Sequence, residues 1–257
     1  LGPIAAPGAP LQPGAGARGG AAQVQQPPSG LHADPAIGGQ RRRVLRAEGH
    51  PMVVPRQQAL EQGTSDTMAA ALGAGVDALA PNGSMVVDLG AGVTDIGVLS
   101  TGGIVVSDRL RIGGISMDGA IQAYARDVHG LVLGQRSAEK VKIELGAQAW
   151  TGQEASAVVH GRNLADGLPR AETLSAREVS SALECPVNQI IESARCVFGC
   201  TPPELAADIA AGGIVLTGGG SRLAGLSGFM SERMGVTFRV ALDPETCAIR
   251  GIGELLQ

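Results

Sequence analysis

The chain has 257 residues, of which 44% are hydrophobic and 2% aromatic, and its formal net charge is −4 at pH 7. This length allows one or two domains with a core of aliphatic side chains. The slightly acidic charge argues against a broad nucleic-acid-binding surface. The four cysteines form no CxxC pair, which favours reduced thiols over a metal site, and no apolar run reaches the roughly 20 residues of a membrane span. We therefore expect a cytoplasmic protein that binds no nucleic acid.

The first part of the chain differs in composition from the rest. Residues 1–51 are rich in Gly, Pro and Ala and lack apolar periodicity, which predicts a disordered segment. Residues 65–73 combine helix-forming side chains with a good N-cap residue, Ser65, and predict a helix. A turn over residues 80–84 then leads into the most informative stretch of the sequence.

Residues 85–99 read as a strand, a glycine hairpin and a second strand. Because Gly90 and Gly92 lack Cβ, several backbone N–H groups can face one anion there, and Asp88 at the strand end could hold a hydrated metal ion beside it. A dinucleotide-binding loop is excluded, because Asp95 stands where that loop needs a third glycine and a strand follows instead of a helix. An ordinary hairpin whose glycines only form the turn is an equally good interpretation of this segment alone.

Three further elements can be placed in the middle of the chain. Residues 104–112 predict the third strand of an antiparallel meander, and residues 115–128 predict a helix. Ser175 has the spacing of a capping box and begins another helix, which Pro186 is expected to interrupt or restart.

Two charged side chains share one face of a further helix. Ser137 is suited to cap this helix, in which Glu139 and Lys142 lie three residues apart. They could form an ion pair or hold the polar edge of a ligand together. From these residues alone the ion pair is the favoured interpretation.

A second glycine loop follows a buried type of strand near the C-terminus. Residues 213–217 predict the strand, the loop comprises Gly218, Gly219 and Gly220, and Ser221 can cap the helix expected after it. Free N–H groups at a helix start attract anions. Close packing of a helix on a sheet also selects glycine, so this loop alone is only moderately specific.

The motifs from about residue 68 to the C-terminus, taken in their order along the chain, resemble the bacterial actin-like MreB/Mbl cell-shape family. The resemblance is carried by residues 68–75, 85–99, 102–106, 111–114, 138–146, 161–164, 202–209, 213–220 and 243–251. Collinear segments over most of a chain are far more specific than either glycine loop alone. The resemblance therefore favours phosphate binding over a simple turn at residues 85–99.

The resemblance implies an α/β fold, namely an actin-like (ribonuclease H-like) ATPase lobe with an inserted smaller subdomain and an incomplete first lobe. Residues 85–257 would form the second lobe with a C-terminal helix, and residues from about 115 to 180 would be its inserted subdomain. Residues 52–84 would be a remnant of the first lobe.

The resemblance also assigns a site for ATP and Mg²⁺. Its phosphate loop would comprise Gly90, Ala91, Gly92, Val93 and Thr94. Asp88 would face the Mg²⁺ ion. The residues that contact ribose and adenine would be Glu139, Lys140, Val141 and Lys142. The adenosine loop would comprise Gly218, Gly219, Gly220 and Ser221.

The sequence departs from the family pattern at positions that matter for hydrolysis. The family's first phosphate hairpin, Asp-x-Gly-Thr, has no match in residues 1–51, and its water-orienting Glu-Glu-Pro is replaced by Ser-Asp-Thr at residues 65–67. Val93 replaces a threonine of the phosphate loop, and Ile115 replaces an acid after two glycines. These departures predict ATP hydrolysis that is weak or lost, and no catalytic residue is assigned.

The resemblance to this family also implies a function for the chain. The first hypothesis is an ATP-binding, filament-forming cytoskeletal protein that regulates cell shape, self-associates and works with cell-wall morphogenesis proteins. The resemblance leaves direct membrane contact open. The alternatives are a nucleotide-independent scaffold and, with less support, a sugar or acetate kinase of the same superfamily. Such a kinase would need a substrate-side catalytic acid and an intact first phosphate loop, and the sequence shows neither.

Overall fold

The computed structural model describes residues 65–256, so the predictions for residues 1–51 and 52–64 lie outside the described residues. No helix in the described part has both the length and the apolarity to cross a membrane. In chain order the elements are α1 (Ser65–Gly73), β1 (Ser84–Leu89), β2 (Thr94–Ser100), β3 (Gly103–Leu110), α2 (Gly114–His129), β4 (Leu131–Val132), α3 (Gln135–Thr151), β5 (Ser156–Asn163), β6 (Pro169–Ser175), α4 (Ala176–Gly199), α5 (Pro203–Gly212), β7 (Ile214–Thr217), α6 (Leu226–Met234), β8 (Phe238–Val240) and α7 (Cys247–Leu255). Short 3-10 turns occupy Gly219–Arg222 and Pro244–Thr246.

A five-stranded sheet with the strand order β3-β2-β1-β7-β8 organises the fold. Strands β1, β2 and β3 pair antiparallel, which confirms the predicted meander, whereas β7 lies parallel to β1 and β8 parallel to β7. Asp88 near the end of β1 lies opposite Thr217 at the end of β7. The two glycine loops therefore leave the sheet at the same edge.

Helices cover both faces of this sheet. On one face, α1 packs against Val86 and Leu99, and α7 packs on α1. On the other face α4 crosses β2 and β3, where the Ser193 hydroxyl donates a hydrogen bond of 2.6 Å to Asp108. Strand β2 is consequently buried along its whole length, as expected for a strand inside a three-layer α/β sandwich.

A second, smaller sheet lies in the middle of the sequence. It contains β4, β5 and β6 in that order, and all of its strands pair antiparallel. Helix α3 packs on β5, and the start of α4 contacts β6. This sheet falls within the residues that the resemblance assigns to an inserted subdomain.

The helix predictions are mostly confirmed, with corrections at Ser137 and Pro186 here and at Ser221 below. Ser137 does not cap α3, because this helix begins at Gln135 after Gly134. Ser175 caps α4 as predicted, because its hydroxyl accepts a hydrogen bond from the Glu178 N–H at 3.3 Å. The predicted interruption at Pro186 is wrong, since α4 continues through it to Gly199. Buried apolar residues recur at helical spacing on both sides of the proline, and this packing outweighs the single backbone hydrogen bond that proline removes.

Two glycines allow α1 and α7 to pack with their backbones in contact. A Cβ atom on Gly73 would lie 1.8 Å from the carbonyl oxygen of Cys247, and one on Gly251 would lie 1.8 Å from the carbonyl oxygen of Ala69. No side chain larger than hydrogen fits at either position without moving a helix.

Replacement of Gly251 by alanine is expected to lower the free energy of unfolding by about 1–3 kcal/mol, because the added methyl group meets rigid backbone. The matched control is Gly253→Ala in the same helix, where a Cβ would meet nothing within 4 Å. That control should be neutral or stabilising by up to about 1 kcal/mol, since alanine favours helix over glycine. Urea unfolding of both variants tests this, and equal losses would contradict the close approach.

Candidate functional site

The two glycine loops meet at the end of β1. The first glycine loop, residues 90–93, joins β1 to β2, and the second glycine loop, residues 218–221, follows β7. A Cβ atom on Gly218 would lie 2.4 Å from the Leu89 carbonyl oxygen, and one on Gly220 would lie 2.6 Å from the Leu89 Cγ atom. The structure thus brings together two loops that are more than a hundred residues apart in the sequence.

The first glycine loop presents a set of unpaired backbone donors. The Gly90 N–H donates to the Val93 carbonyl at 3.0 Å and closes the turn. Within residues 65–256, the N–H groups of Ala91, Gly92 and Val93 donate to no protein acceptor. Successive free N–H groups in a turn form a concave site for an anion, so the loop is suited to hold a phosphate.

Contacts from the chain that leads into α2 hold this loop in place. The Gly114 N–H donates to the Gly90 carbonyl at 3.1 Å. The hydroxyl of Thr94, which is completely buried, donates to the Ile112 carbonyl at 2.7 Å. The Thr94 hydroxyl is therefore engaged in the fold and stabilises the start of β2.

A row of polar side chains crosses the sheet beside the first glycine loop. Thr217, Asp88, Asp95 and Arg109 occupy directly opposite positions on β7, β1, β2 and β3, so they share one face. The Thr217 hydroxyl donates to Asp88 at 2.8 Å, and Arg109 Nε lies 3.1 Å from an Asp95 oxygen. Asp66, in the first turn of α1, contacts the other end of the Arg109 guanidinium at 3.1 Å.

Burial and the repulsion between neighbouring carboxylates disfavour the ionised forms of Asp88 and Asp95 in this polar row. Burial raises the pKa of Asp88, although the hydrogen bond from Thr217 opposes the change and the charge of Asp66 adds to it. Burial also raises the pKa of Asp95 to about 6, against the attraction of Arg109 and with added repulsion from Asp66 and Asp88. A cation near these carboxylates would relieve their repulsion.

Asp88 fits a supporting role for Mg²⁺ rather than a complete metal site. Among the described residues, no group of three or more His, Cys, Asp or Glu side chains is arranged to hold a metal ion. Mg²⁺ commonly binds to one or two carboxylates together with phosphate oxygens and water. Asp88, beside the free N–H groups of the first glycine loop, suits this mode of binding.

The predicted ion pair between Glu139 and Lys142 is wrong. Lys142 turns inward and lies 2.7 Å from a carboxylate oxygen of Asp118, with a hydrogen bond of 3.2 Å to the Gly114 carbonyl. The Lys142 and Asp118 side chains are only 11% and 4% exposed, and charge rather than a well-aligned hydrogen bond holds them together. Lys142 therefore pairs with the buried Asp118 on the neighbouring helix and not with the exposed Glu139.

The four residues assigned to ribose and adenine contacts differ in exposure. Glu139 and Lys140 are exposed, whereas Val141 and Lys142 are buried. Val141 belongs to the main hydrophobic core. Glu139 and Lys140 are thus the members of this group whose side chains are open to a ligand.

The second glycine loop differs from its prediction at Ser221. The prediction that Ser221 caps the following helix is wrong, because its hydroxyl donates to the Gly218 carbonyl at 2.6 Å and stabilises a 3-10 turn. Helix α6 begins later, after Gly225. Within residues 65–256, the N–H groups of Gly219 and Gly220 find no protein acceptor, so this loop also offers donors to an anion.

The second glycine loop is fixed by contacts with residues that lie more than twenty positions further along the chain. Arg222, at the end of its 3-10 turn, makes two hydrogen bonds of 2.6 and 2.5 Å to Glu245. The Gly218 N–H donates to the Pro244 carbonyl at 2.8 Å. The loop is therefore tied to the turn that begins α7, and no local sequence pattern predicts such a pairing.

Solved structures with a similar fold define the class of protein. The structure of MreB5 of Spiroplasma citri bound to AMPPNP superposes with a TM-score of 0.71 at 29% identity and covers 79% of this chain and 65% of its own. The structure described as the MamK double helical filament gives a TM-score of 0.61 at 26% identity, covering 74% of this chain and 58% of its own. The fold is thus actin-like, as the resemblance predicted.

The sequence comparisons identify the family within this class. The family model for the MreB/Mbl protein matches residues 61–257. The cell shape-determining protein MreB of Escherichia coli K12 is 44% identical over 193 residues, which are 75% of this chain and 55% of that protein. The chain belongs to the MreB/Mbl family. It spans about half the length of the E. coli relative that it matches.

Proposed function

We propose that the chain is an ATP-binding, filament-forming protein of the cell-shape type, with Mg²⁺ as the partner ion of the nucleotide. The observation that carries this proposal is the meeting of two glycine loops at one sheet edge, where both loops have N–H groups that donate to no protein acceptor within residues 65–256. The MreB5 relative has been solved with AMPPNP and with ADP, which supports a nucleotide in this fold.

Each predicted site residue has a role in this proposal that its environment permits. The backbone of residues 90–94 would bind phosphate, and Asp88 would face Mg²⁺. Residues 218–221 would bind the adenosine side, and Glu139 with Lys140 would contact ribose or adenine. Val141 and Lys142 would hold the part of α3 that carries Glu139 and Lys140 in place, because their own side chains are buried.

Self-association is the second part of the proposal. A structural relative, MamK, is described as a double helical filament, which supports filament formation by this chain. Proteins of cell-wall morphogenesis are the expected partners, and the expected location is the cytoplasm, with direct membrane contact left outside this proposal. Hydrolysis is expected to be weak or lost, because the family's water-orienting Glu-Glu-Pro is replaced by Ser-Asp-Thr at residues 65–67 and Val93 replaces a threonine of the phosphate loop.

Calorimetric titration of the purified chain with ATP, with and without Mg²⁺, tests the proposal directly. We expect micromolar binding that weakens without Mg²⁺, and pelleting in the ultracentrifuge that depends on nucleotide. Absence of binding at millimolar ATP, which corresponds to a binding free energy weaker than about −4 kcal/mol, would overturn ATP binding and favour the nucleotide-independent scaffold.

The variant Gly219→Asp connects this binding to the second glycine loop. A Cβ atom at Gly219 would meet nothing within 4 Å, so a side chain can leave the backbone there without a clash. Its negative charge would stand beside the donors proposed for the nucleotide and should weaken ATP binding at least about tenfold. Gly219→Asn has the same shape without the charge and is the control. Equal affinity of the two variants for ATP would contradict the placement of the nucleotide at this loop.

A further inference from the structure

Strand β6 forms one edge of the small sheet. The strand order is β4-β5-β6, and within residues 65–256 no strand pairs with the outer side of β6. The exposed residues of the strand are Pro169, Arg170, Ala171 and Thr173. An edge with unpaired backbone groups is a template for a further strand, so this edge is a candidate contact surface.

Hydrogen bonds at both ends of the β5–β6 pair show which residues of β6 face outward. The Asn163 N–H donates to the Leu168 carbonyl at 2.8 Å, and the Ala176 N–H donates to the Ala155 carbonyl at 2.8 Å. Both pairs keep the register of the ladder between them. Hydrogen-bonded and non-hydrogen-bonded pairs alternate along an antiparallel ladder. The backbone groups of residues 169, 171 and 173 therefore point away from β5.

The open part of this edge is short and centred on Ala171. Within the described part of the chain, the Ala171 N–H and carbonyl have no hydrogen-bond partner. The Thr173 N–H makes only a long contact of 3.4 Å with the carboxylate of Glu172. The Ser175 N–H already donates to Glu178 at 2.8 Å. An added strand would thus form its bonds around Ala171.

The charges on this edge are complementary to a second copy of the same strand. Charged side chains on an edge strand usually keep other strands away. Here, however, Arg170 and Glu172 have opposite signs, stand on either side of Ala171 and share one face of the sheet. When two antiparallel copies of β6 meet at Ala171, Arg170 of each copy lies directly opposite Glu172 of the other. A strand of arbitrary sequence would not match these charges.

Arg170 has enough donors to serve both copies. Within its own chain it contacts Glu172 and donates to the His129 carbonyl at 3.1 Å. A guanidinium has five N–H donors, and a carboxylate accepts several hydrogen bonds. The ion pair inside each chain can therefore persist while the same groups contact the second copy.

An exposed leucine also finds an apolar neighbour in this register. The Leu168 side chain is 63% exposed in the single chain. In the same pairing it lies directly opposite Leu174 of the second copy, whose side chain belongs to the main hydrophobic core. Burial of apolar surface favours association. The register that matches the charges thus also covers an exposed apolar side chain.

We propose that β6 pairs antiparallel with β6 of a second copy about a twofold axis at Ala171, which joins the two small sheets into one. The two Ala171 residues would exchange two hydrogen bonds, and each Thr173 N–H would donate to the Pro169 carbonyl opposite. The contact uses the same surface on both copies and closes on itself, so it gives a dimer and not a filament. It needs no nucleotide and is independent of the proposed function.

Sedimentation velocity of the nucleotide-free chain at increasing concentrations tests this inference, and we expect a reversible dimer. Arg170→Glu places like charges opposite each other at two sites of the dimer and should weaken it at least about tenfold. The double variant Arg170→Glu, Glu172→Arg restores opposite charges at both sites and should recover the dimer to within about threefold. Arg162→Glu reverses an exposed charge on β5, away from the edge, and is the matched control.

Replacement of Ala171 by proline tests the backbone contact itself. Because the Ala171 N–H points away from β5, proline removes no hydrogen bond of the ladder, and sheet edges tolerate proline. The variant should lose the dimer and keep the circular dichroism spectrum of the parent chain. In the parent chain, hydrogen exchange at Ala171 and Thr173 should slow as the dimer forms. Exchange at Ser175, whose N–H is already bonded, should not change.

The outcomes distinguish this inference from the proposed function. A parent chain that stays monomeric at millimolar concentration would overturn the inference. So would a dimer that persists in Arg170→Glu and in Ala171→Pro, or a charge swap that folds normally and does not recover the dimer. Failure to bind ATP would overturn the proposed function alone. A dimer that forms without nucleotide and is lost in Ala171→Pro would uphold the inference in either case.

Discussion

Replacement of Lys142 by methionine is expected to lower the free energy of unfolding by about 3–5 kcal/mol, because it leaves the Asp118 carboxylate buried without a partner charge. The Asp118 side chain is 4% exposed, and the Lys142 ammonium lies 2.7 Å from it. Methionine fills a similar volume, so lost packing contributes little to this loss. Chemical denaturation at neutral pH measures the effect.

Two controls separate the buried charge from other effects of this substitution. The double variant Lys142→Met, Asp118→Leu removes both charges and should recover most of the lost stability. Glu139→Ala, on the exposed side of the same helix, should change the free energy of unfolding by less than about 0.5 kcal/mol. If Lys142→Met were as mild as Glu139→Ala, the pair would contribute nothing to the fold.

The same comparison bears on the nucleotide. In the proposed site the exposed Glu139 contacts the nucleotide, whereas the buried Lys142 acts only by holding their helix in place. Glu139→Ala should therefore weaken ATP binding without loss of stability. Lys142→Met should weaken both together, because the pair with Asp118 also fixes the Gly114 carbonyl behind the first glycine loop.

The sequence predicts the elements of the site well because their signals are local. The strand, glycine hairpin and strand of residues 85–99 are confirmed by β1 and β2, since β-branched residues and glycine act over a few positions. The capping box at Ser175 is confirmed for the same reason. Even the shared face of Asp95 and Arg109 follows from the period of two along strands, once the register between β2 and β3 is known.

The sequence does not predict pairings that depend on tertiary packing. Lys142 meets Asp118 instead of Glu139 because α2 and α3 pack against each other. The contacts of Arg109 with Asp66 and of Arg222 with Glu245 join residues 43 and 23 positions apart. Pro186 stays inside α4 because buried residues on both sides hold the helix together. In each case a long-range contact outweighs a local preference.

Replacement of Gly218 by alanine is expected to lower the free energy of unfolding by about 2–6 kcal/mol and to abolish ATP binding. The residue has φ 78° and ψ 159°, a backbone region that is essentially restricted to glycine, and forcing alanine into it costs about 1–3 kcal/mol. The added Cβ would also lie 2.4 Å from the Leu89 carbonyl oxygen and 2.8 Å from an Asp88 carboxylate oxygen. Both contacts must open, and overpacking of this kind costs a further 1–3 kcal/mol or so.

The neighbouring position supplies the control for this prediction. At Gly219 a Cβ would meet nothing within 4 Å, and φ is not positive. Gly219→Ala should therefore leave unfolding unchanged within about 0.5 kcal/mol and keep ATP affinity within about threefold, a change below about 1 kcal/mol. Thermal unfolding and calorimetric titration of both variants measure the difference. Equal behaviour of the two alanines would contradict the tight contact between the second glycine loop and the end of β1. Loss of ATP binding in Gly218→Ala without loss of stability would instead assign Gly218 a direct contact with the nucleotide.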